Sequence, residues 1–378
     1  MQNIFNYLEW RGDLSFPRDK FNEVDNLIMA VLVYLEFDSI VPAEAQNSPI
    51  SLAEAAEQLK NKPFVCNSNP FFSKIPDFFR KTAQSARYRD LKVSSYVNQI
   101  NHEQSLQFSA AVFSINAEEH YIAFRGTDST LAGWKEDFQM SFTDEVPAQR
   151  YAVDYIKKIF AEYRGDFYLG GHSKGGNLAV YSAANADDRI RKRIIRVYNN
   201  DGPGFQTKIL ESEGYQRVLK RINTFLPKSS IVGMLLEHTE DYRVISSDAL
   251  GIMQHNPFSW KVSGAHFVYE KGLTRSSSDL NKTLRLWLDQ LSIEQRAQFV
   301  NALFDIIQAT GALKISELSK EKLTTAYAMI KTYQNMNPLT KSFLKKTIQL
   351  FFRETQIVMR NSLKEDLNSL FRKRNTDC

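Results

Sequence analysis

The chain has 378 residues, of which 43% are hydrophobic and 24% are charged, and its formal net charge is +5. This composition is that of an ordinary globular protein, and it excludes a disordered, collagen-like or low-complexity chain. The surplus of positive charge lies entirely in the last 39 residues, which hold nine basic and four acidic side chains. The body of the protein is therefore predicted to be neutral, with a basic C-terminal region.

The sequence is typical of a protein of the cytoplasm. Its two cysteines, Cys66 and Cys378, do not suggest a disulfide framework and favour a reducing compartment. The first residues contain no basic segment followed by an apolar stretch, so a signal peptide is not expected. The most apolar run, residues 26–37, is about 12 residues long and is too short to span a bilayer.

Residues 1–88 are predicted to form a helical segment that packs on a core or caps it. Apolar side chains recur at helical spacing between residues 21 and 35. Ser51 and Glu54 have the spacing of a capping box, which indicates the start of a second helix. Asn69 and Pro70 are predicted to open a third helix that runs to about residue 86.

Residues 89–276 are predicted to form an α/β core. Segments rich in β-branched and aromatic residues come first, and strands then alternate with helices. The predicted strands are residues 91–100, 107–115, 120–124, 167–169, 194–199, 221–225 and 242–245, and the predicted helices are residues 151–163, 176–184 and 206–219. This alternation favours a mostly parallel sheet that is flanked by helices on both faces.

Residues 277–378 are predicted to form a helical extension. Ser292 and Gln295 mark the start of one helix, Gly311 stands where it would end, and Pro338 opens a long basic helix. One face of that last helix is predicted to carry Leu344, Ile348, Phe352, Met359, Leu363, Leu367 and Phe371.

A basic amphipathic helix of this kind can make peripheral contact with an anionic membrane, or its apolar face can pack on the preceding helices. No nucleic-acid recognition motif accompanies the basic region, so a nucleic-acid partner is not expected. The sequence leaves the oligomeric state open.

The clearest chemical motif is Gly171-His172-Ser173-Lys174-Gly175, which fits G-x-S-x-G. In this motif a serine sits on a strained turn between a strand and a helix, and the glycines avoid steric clashes. The helix that follows directs its free N–H groups toward an oxyanion. An apolar strand before the motif and a helical pattern after it fit this context, so Ser173 is the predicted nucleophile.

A second motif covers residues 121–137, where a strand ends in Arg125-Gly126-Thr127-Asp128 and a tryptophan and an acid follow. A nucleophile elbow needs an N–H donor from a loop after an earlier strand. The backbone N–H groups of Thr127 and Lys174 are therefore the predicted oxyanion donors.

Together these two motifs resemble the class 3 lipases, in which a strand ending in F-R-G-T/S is followed by Trp and Asp. Residues 10–16 and 21–27 look like a narrower, uncharacterised family of lipase-like bacterial proteins. The resemblance covers roughly residues 1–270 and implies an α/β-hydrolase fold with a serine nucleophile.

A triad also needs a histidine after the nucleophile. His172 adjoins Ser173 and is excluded as the base. His255 follows the last predicted core strand and is the first choice. His266 and His238 are the alternatives.

The predicted acid is Asp201, which follows the strand over residues 194–199, as the acid does in pancreatic-type lipases. The resemblance to class 3 lipases would instead place it after the next strand, but Ser230 occupies that position. Asp248 is the alternative acid, whereas Asp128 and Asp137 are predicted to fix the oxyanion loop.

The predicted function is a serine hydrolase that cleaves carboxylic esters through an acyl-enzyme on Ser173, with lipid-like acyl esters as substrates. No sequence motif for a metal ion or a cofactor is present, so neither is expected. The alternative is a binding or regulatory protein on a hydrolase scaffold that has lost its activity.

Overall fold

The computed structural model describes residues 2–43, 49–60, 73–101, 103–128, 130–312 and 322–376, without the side chains of residues 322–324 and 362–376. The predicted helix start at Asn69 and Pro70 lies outside these residues. The chain forms two compact units, the first running to Leu273 and the second beginning at Thr274.

In the first unit, eight strands of the described residues form one sheet in sequential order. They are β1 (Ile50–Ser51), β2 (Lys92–Asn101), β3 (Leu106–Ser114), β4 (Glu119–Phe124), β5 (Asp166–His172), β6 (Ile194–Asn200), β7 (Ile222–Pro227) and β8 (Tyr242–Ile245). Strands β1 to β4 pair antiparallel, and β4 to β8 pair parallel. The mostly parallel sheet flanked by helices confirms the predicted α/β-hydrolase-like fold class.

Helices precede the sheet and connect its parallel strands. They are α1 (Ile4–Arg11), α2 (Glu23–Leu32), α3 (Leu52–Leu59), α4 (Ile75–Gln84), α5 (Leu131–Gln139), α6 (Pro147–Glu162), α7 (Lys174–Ala184), α8 (Asp188–Lys192), α9 (Thr207–Leu210) and α10 (Glu213–Val218). The capping box predicted at the start of α3 is confirmed. The single helix predicted over residues 206–219 is wrong, because Ser212 caps a new helix by accepting from the backbone N–H of Tyr215.

The sheet separates two layers of the core, because successive side chains of a strand point to opposite faces. On β3, Ala111 and Phe113 join the cluster formed with α1, α2 and α4. Ala110 and Val112 join the opposite cluster, which contains the apolar faces of α6 and α7. The N-terminal helices therefore cover one face of the sheet that carries the site.

A buried ion pair fixes these N-terminal helices. The guanidinium of Arg87 lies 2.6 Å from Oδ2 of Asp25 on α2, and neither side chain is exposed to solvent. Arg87 also donates to the carbonyl oxygens of Leu14 and Asp19 at 2.9 Å. Removing either partner of such a buried pair leaves an uncompensated charge, which makes the pair important for the placement of α2.

The second unit consists of α11 (Arg275–Asp289), α12 (Ile293–Gln308), α13 (Lys322–Asn335) and α14 (Pro338–Thr376) among the described residues. The apolar residues predicted on one face of α14 differ in exposure, because Leu344 is buried whereas Ile348, Phe352 and Met359 are exposed. The side chains of Leu363, Leu367 and Phe371 lie outside the described ones. Among the described residues, no helix combines the length and the hydropathy that a membrane crossing requires.

Candidate active site

Ser173 occupies a sharp turn between β5 and α7. Its backbone has φ 59° and ψ −136°, a conformation that residues with a side chain seldom adopt. A Cβ atom on Gly175 would lie 2.1 Å from the carbonyl oxygen of Phe124, so only glycine fits there. Ser173 thus stands directly before the first turn of α7, whose N–H groups have no partner within the helix.

The structure brings Asp201 and His255 into contact, although they are 54 residues apart in the chain. Nδ1 of His255 lies 2.6 Å from Oδ2 of Asp201. Because a carboxylate can only accept, we assign the proton to Nδ1, which makes Nε2 the accepting nitrogen. Asp201 follows β6 and is fully buried, whereas 15% of the His255 side chain is exposed. In this geometry a carboxylate fixes the tautomer of a general base.

Ser230 binds the other oxygen of the same carboxylate. Its hydroxyl donates to Oδ1 of Asp201 at 2.5 Å, and both residues are buried. Ser230 follows β7, where the resemblance to class 3 lipases would place the acid itself. The carboxylate that follows β6 therefore accepts a hydrogen bond from the loop that follows β7.

The short turn Gly251–His255 is fixed by buried residues beside it. The backbone N–H of Ser229 donates to Oε1 of Gln254 at 2.9 Å. Nε1 of Trp260 donates to the carbonyl oxygen of Gln254 at 2.8 Å. These bonds restrain the backbone next to His255 and hence the position of its ring.

His172 connects the elbow to the turn that carries His255. Nε2 of His172 lies 2.8 Å from the carbonyl oxygen of His255, and the two ring centroids are 4.5 Å apart. A carbonyl only accepts, so Nε2 of His172 carries the proton. Burial and the nearby His255 hold the pKa of His172 well below its usual range, which keeps the ring neutral.

The loop after β4, residues 125–128, is called the β4 loop. The hydroxyl of Thr127 donates to Oδ2 of Asp137 on α5 at 2.5 Å. Asp128 accepts from the backbone N–H of Thr130 at 2.8 Å, and its carboxylate lies 3.8 Å from the guanidinium of Arg125. Both carboxylates therefore bind the loop and the residues around it.

Tyr34, from the N-terminal helical region, contacts the residue before Ser173. It follows α2, and its hydroxyl lies 3.3 Å from Nδ1 and 3.3 Å from the carbonyl oxygen of His172. A Cβ atom on Gly126 would lie 2.1 Å from this hydroxyl and 3.0 Å from Cβ of Ser173. The Tyr34 hydroxyl therefore lies between the β4 loop and the elbow. Burial raises the pKa of Tyr34 above its usual range, so the hydroxyl keeps its proton.

The side chain of Lys174 has a separate structural role. Its Nζ lies 2.7 Å from Oε2 of Glu136 and donates to the carbonyl oxygen of Gln107 at 2.9 Å. Both charged side chains are buried, so the pair ties the start of α7 to α5 and β3. The backbone N–H of Lys174, the predicted oxyanion donor, begins the helix directly after Ser173.

The alternative base His266 and the alternative acid Asp248 bind other groups. Nδ1 of His266 lies 3.5 Å from Oε1 of Glu23, and 69% of the His266 side chain is exposed. Nζ of Lys261 lies 3.1 Å from Oδ1 of Asp248. Neither alternative residue therefore takes part in the contact between His255 and Asp201.

His238, the other alternative base, forms a buried ion pair. Its Nδ1 lies 2.8 Å from Oε1 of Glu240, and its Nε2 lies 2.6 Å from the carbonyl oxygen of Gly233. Burial alone would lower the pKa of His238, but the Glu240 carboxylate raises it. Burial would likewise raise the pKa of Glu240, but His238 lowers it to about 2. Both nitrogens of His238 thus donate, and neither is available as a base.

Tyr34, and Ser230 as a donor to the acid, were missed by sequence reasoning. Tyr34 ends an apolar helical pattern that indicates only packing, so no local signal marks its contact with His172. The position of Ser230 could have been recognised as part of the site, because the resemblance to class 3 lipases would place an acid there. Among the described residues, no group of three or more His, Cys, Asp and Glu side chains could hold a metal ion.

The chain matches the model of the Mbeg1-like family over residues 82–305. Among solved structures it is similar to the crystal structure of M37 lipase, with 16% identity, a TM-score of 0.35, and coverage of 57% of this chain and 70% of that one. No curated protein matches the chain. The mostly parallel sheet with Ser173 on a strand-to-helix turn agrees with the predicted α/β-hydrolase-like fold. Because the match includes the elbow, Asp201 and His255 and covers more than half of the chain, this protein belongs to the Mbeg1-like family.

Proposed function

We propose that this protein is a serine hydrolase that cleaves carboxylic esters through an acyl-enzyme on Ser173. The observation that carries the proposal is the contact between Asp201 and His255, whose atoms lie 2.6 Å apart. His172, the residue before Ser173, binds the backbone of His255 and so joins this pair to the elbow. A buried carboxylate, a histidine oriented by it and a serine on a strand-to-helix turn are the parts of such a site.

In the proposed reaction the Ser173 hydroxyl attacks the ester carbonyl carbon while Nε2 of His255 takes its proton. The backbone N–H groups of Thr127 and Lys174 donate to the oxyanion of the tetrahedral intermediate. The intermediate expels the alcohol, which receives the proton from His255, and the acyl group stays on Ser173. Water then gives a proton to His255 and attacks the acyl-enzyme carbonyl carbon, and the second tetrahedral intermediate releases the acid while His255 returns the proton to the Ser173 oxygen. Asp201 keeps the imidazole in the required tautomer.

Exposed apolar side chains near the site support a lipid-like acyl ester as the substrate. On α5, Trp134 and Phe138 are 39% and 41% exposed and lie one helical turn apart. On the loop that leads to His255, Leu250 and Ile252 are 85% and 53% exposed. Exposed apolar side chains of this kind favour binding of an acyl chain.

Hydrolysis of p-nitrophenyl acetate, butyrate, octanoate and palmitate by the purified protein tests this proposal. We expect turnover to be highest for an ester longer than acetate. Ser173→Ala is expected to lower kcat/KM by at least about 10³-fold, because the nucleophile is lost. Ser276→Ala, an exposed serine on α11 of the second unit, is the matched control and is expected to behave as the wild type. Wild-type protein that hydrolyses none of the esters would reject the proposal.

The alternative is an inactive hydrolase scaffold that binds a partner, and it is suggested by the missing acid after β7 and by the helical C-terminal extension. The contact of Asp201 with His255 supports the hydrolase, because it offers a carboxylate after β6 in place of the missing one. The Ser173→Ala variant separates the two functions, because a binding role that does not need the nucleophile would survive this substitution.

A further inference from the structure

One face of α14 is occupied by contacts within the second unit. Leu344, Thr347 and Val358 on this face are buried. Nε1 of Trp287 on α11 donates to the carbonyl oxygen of Thr347 at 2.9 Å, and its ring centroid lies 5.6 Å from that of Phe351. These contacts hold the described part of this face in the helical unit.

A second face of α14 exposes large apolar side chains. Ile348, Phe352 and Met359 are 47%, 60% and 57% exposed. At 3.6 residues per turn these three positions fall within about 40° of the helix circumference. They share one side of the helix, called here the apolar ridge, and exposed apolar surface of this kind commonly marks an interaction site.

Basic side chains border the apolar ridge. Lys341 and Lys345 lie on the same side of the helix, and Arg360 lies about 80° from Phe352 around the helix axis. Residues 338–361 contain one carboxylate, that of Glu354, which is buried and lies 3.1 Å from Nε of Arg353. The exposed surface of this stretch is therefore apolar and positively charged.

We propose that the apolar ridge docks on an anionic lipid surface. Ile348, Phe352 and Met359 would enter the boundary between headgroups and acyl chains, and the bordering lysines and arginine would contact lipid phosphates. Charge selects this occupant, because a second copy of the same face would bring like charges together whereas an anionic bilayer complements them. This inference does not depend on the proposed hydrolase activity.

Cosedimentation of the full-length protein with lipid vesicles tests the proposal. We expect binding to vesicles of mixed phosphatidylcholine and phosphatidylglycerol, little binding to phosphatidylcholine alone, and release at high salt. Phe352→Ser/Met359→Ser is expected to lower the bound fraction by about tenfold or more, because it removes most of the apolar ridge. Ile293→Ser is the matched control, since Ile293 on α12 is equally exposed at 59%.

A charge-reversed variant separates the electrostatic part of the binding. Lys345→Glu/Arg360→Glu is expected to abolish the dependence on phosphatidylglycerol. Arg189→Glu/Lys220→Glu, which makes the same change in exposed residues of the first unit, is expected to bind as the wild type. The proposal is overturned if the wild type does not bind mixed vesicles, if the controls lose binding equally, or if Phe352→Ser/Met359→Ser abolishes self-association rather than lipid binding. Hydrolysis of a soluble ester by the same variants reports separately on the proposed function.

Discussion

Asp201 and Asp137 each accept a hydrogen bond from a hydroxyl group, but only Asp201 also binds a histidine. Each accepts a hydrogen bond of 2.5 Å from a hydroxyl, that of Ser230 for Asp201 and that of Thr127 for Asp137. The difference lies at the second oxygen. Oδ2 of Asp201 binds Nδ1 of His255, whereas Oδ1 of Asp137 is buried without a hydrogen-bond partner in the described part of the chain.

The partner of the second oxygen therefore distinguishes an acid that orients a histidine from one that fixes a loop. Asp201 satisfies both of its oxygens with side chains of the site. Asp137 leaves one oxygen unsatisfied, and burial raises its pKa to about 6. An aspartate close to the nucleophile in space is not sufficient evidence for a triad.

The largest expected effect separates the two aspartates directly. Asp201→Asn is expected to lower kcat/KM for p-nitrophenyl butyrate by about 10³–10⁴-fold, because an amide no longer selects the required tautomer of His255. Asp137→Asn keeps an oxygen that accepts from Thr127, so its loss is expected to stay within about tenfold. Equal losses of kcat/KM in Asp201→Asn and Asp137→Asn would contradict the different roles of the two aspartates. A larger loss in Asp248→Asn than in Asp201→Asn would contradict the choice of Asp201.

The next largest effect on kcat/KM is expected when the carboxylate is moved from position 201, after β6, to position 230, after β7. Because the Ser230 hydroxyl lies 2.5 Å from the Asp201 carboxylate, a carboxylate on either strand end should reach nearly the same place. We expect Asp201→Ser/Ser230→Asp to recover about tenfold or more of the kcat/KM that Asp201→Ser alone loses. Asp201→Ser/Ser229→Asp is the control, and recovery there to the same extent, or no recovery in the first variant, would contradict the account.

The pH dependence of stability provides a third test, which concerns Asp137 alone. Its pKa in the folded protein lies above the ordinary value of 3.8, so the folded state binds the proton more tightly between about pH 4 and pH 6. The free energy of unfolding should therefore rise as the pH falls through this range and decline as the pH rises.

Asp137→Asn should reduce the difference in the free energy of unfolding between about pH 4.5 and about pH 7 by about 1–2 kcal/mol. The variant is therefore expected to gain stability relative to the wild type at neutral pH. Urea unfolding at about pH 4.5 and about pH 7 measures the difference, with Asp154→Asn on the surface of α6 as the control. An unchanged pH dependence in Asp137→Asn would show that its carboxylate is not perturbed.

The smallest expected effect concerns the N-terminal contribution to the site. Tyr34→Phe removes the hydroxyl between the β4 loop and His172, and we expect kcat/KM to fall by about three- to tenfold, as for the loss of one neutral hydrogen bond. Tyr96→Phe is a matched control, because Tyr96 is a buried tyrosine whose hydroxyl lies 3.4 Å from the carbonyl oxygen of Leu35. A similar loss in both variants would indicate a general effect of packing.

The parts of the site that sequence could predict are those whose signal is local. The glycines and the strand that define the elbow lie within a few residues of Ser173, so one short motif is enough to predict it. Asp201 could be placed because its strand and turn were recognisable. The contact of Ser230 with Asp201 and that of Tyr34 with His172 depend on how distant segments pack, and sequence spacing does not report such packing.

The prediction of the fold is limited in the same way, because contacts between distant segments are not visible in the sequence pattern. Strand and helix alternation predicted the sheet and its class, because periodicity reports which faces are buried. The break between α9 and α10 was missed, because apolar spacing continues through it and only the capping contact of Ser212 stops the helix. On α14 the apolar positions could be identified, but their division between a packed face and an exposed ridge depends on the helices beside it.

The most direct test of the central claim is covalent labelling of the folded protein with a fluorophosphonate probe, followed by mass spectrometry of its peptides. We predict one adduct on Ser173, fast labelling in Asp137→Asn and slow labelling in Asp201→Asn. No adduct on Ser173 in the folded wild type, or labelling that is as fast in Asp201→Asn as in Asp137→Asn, would contradict it.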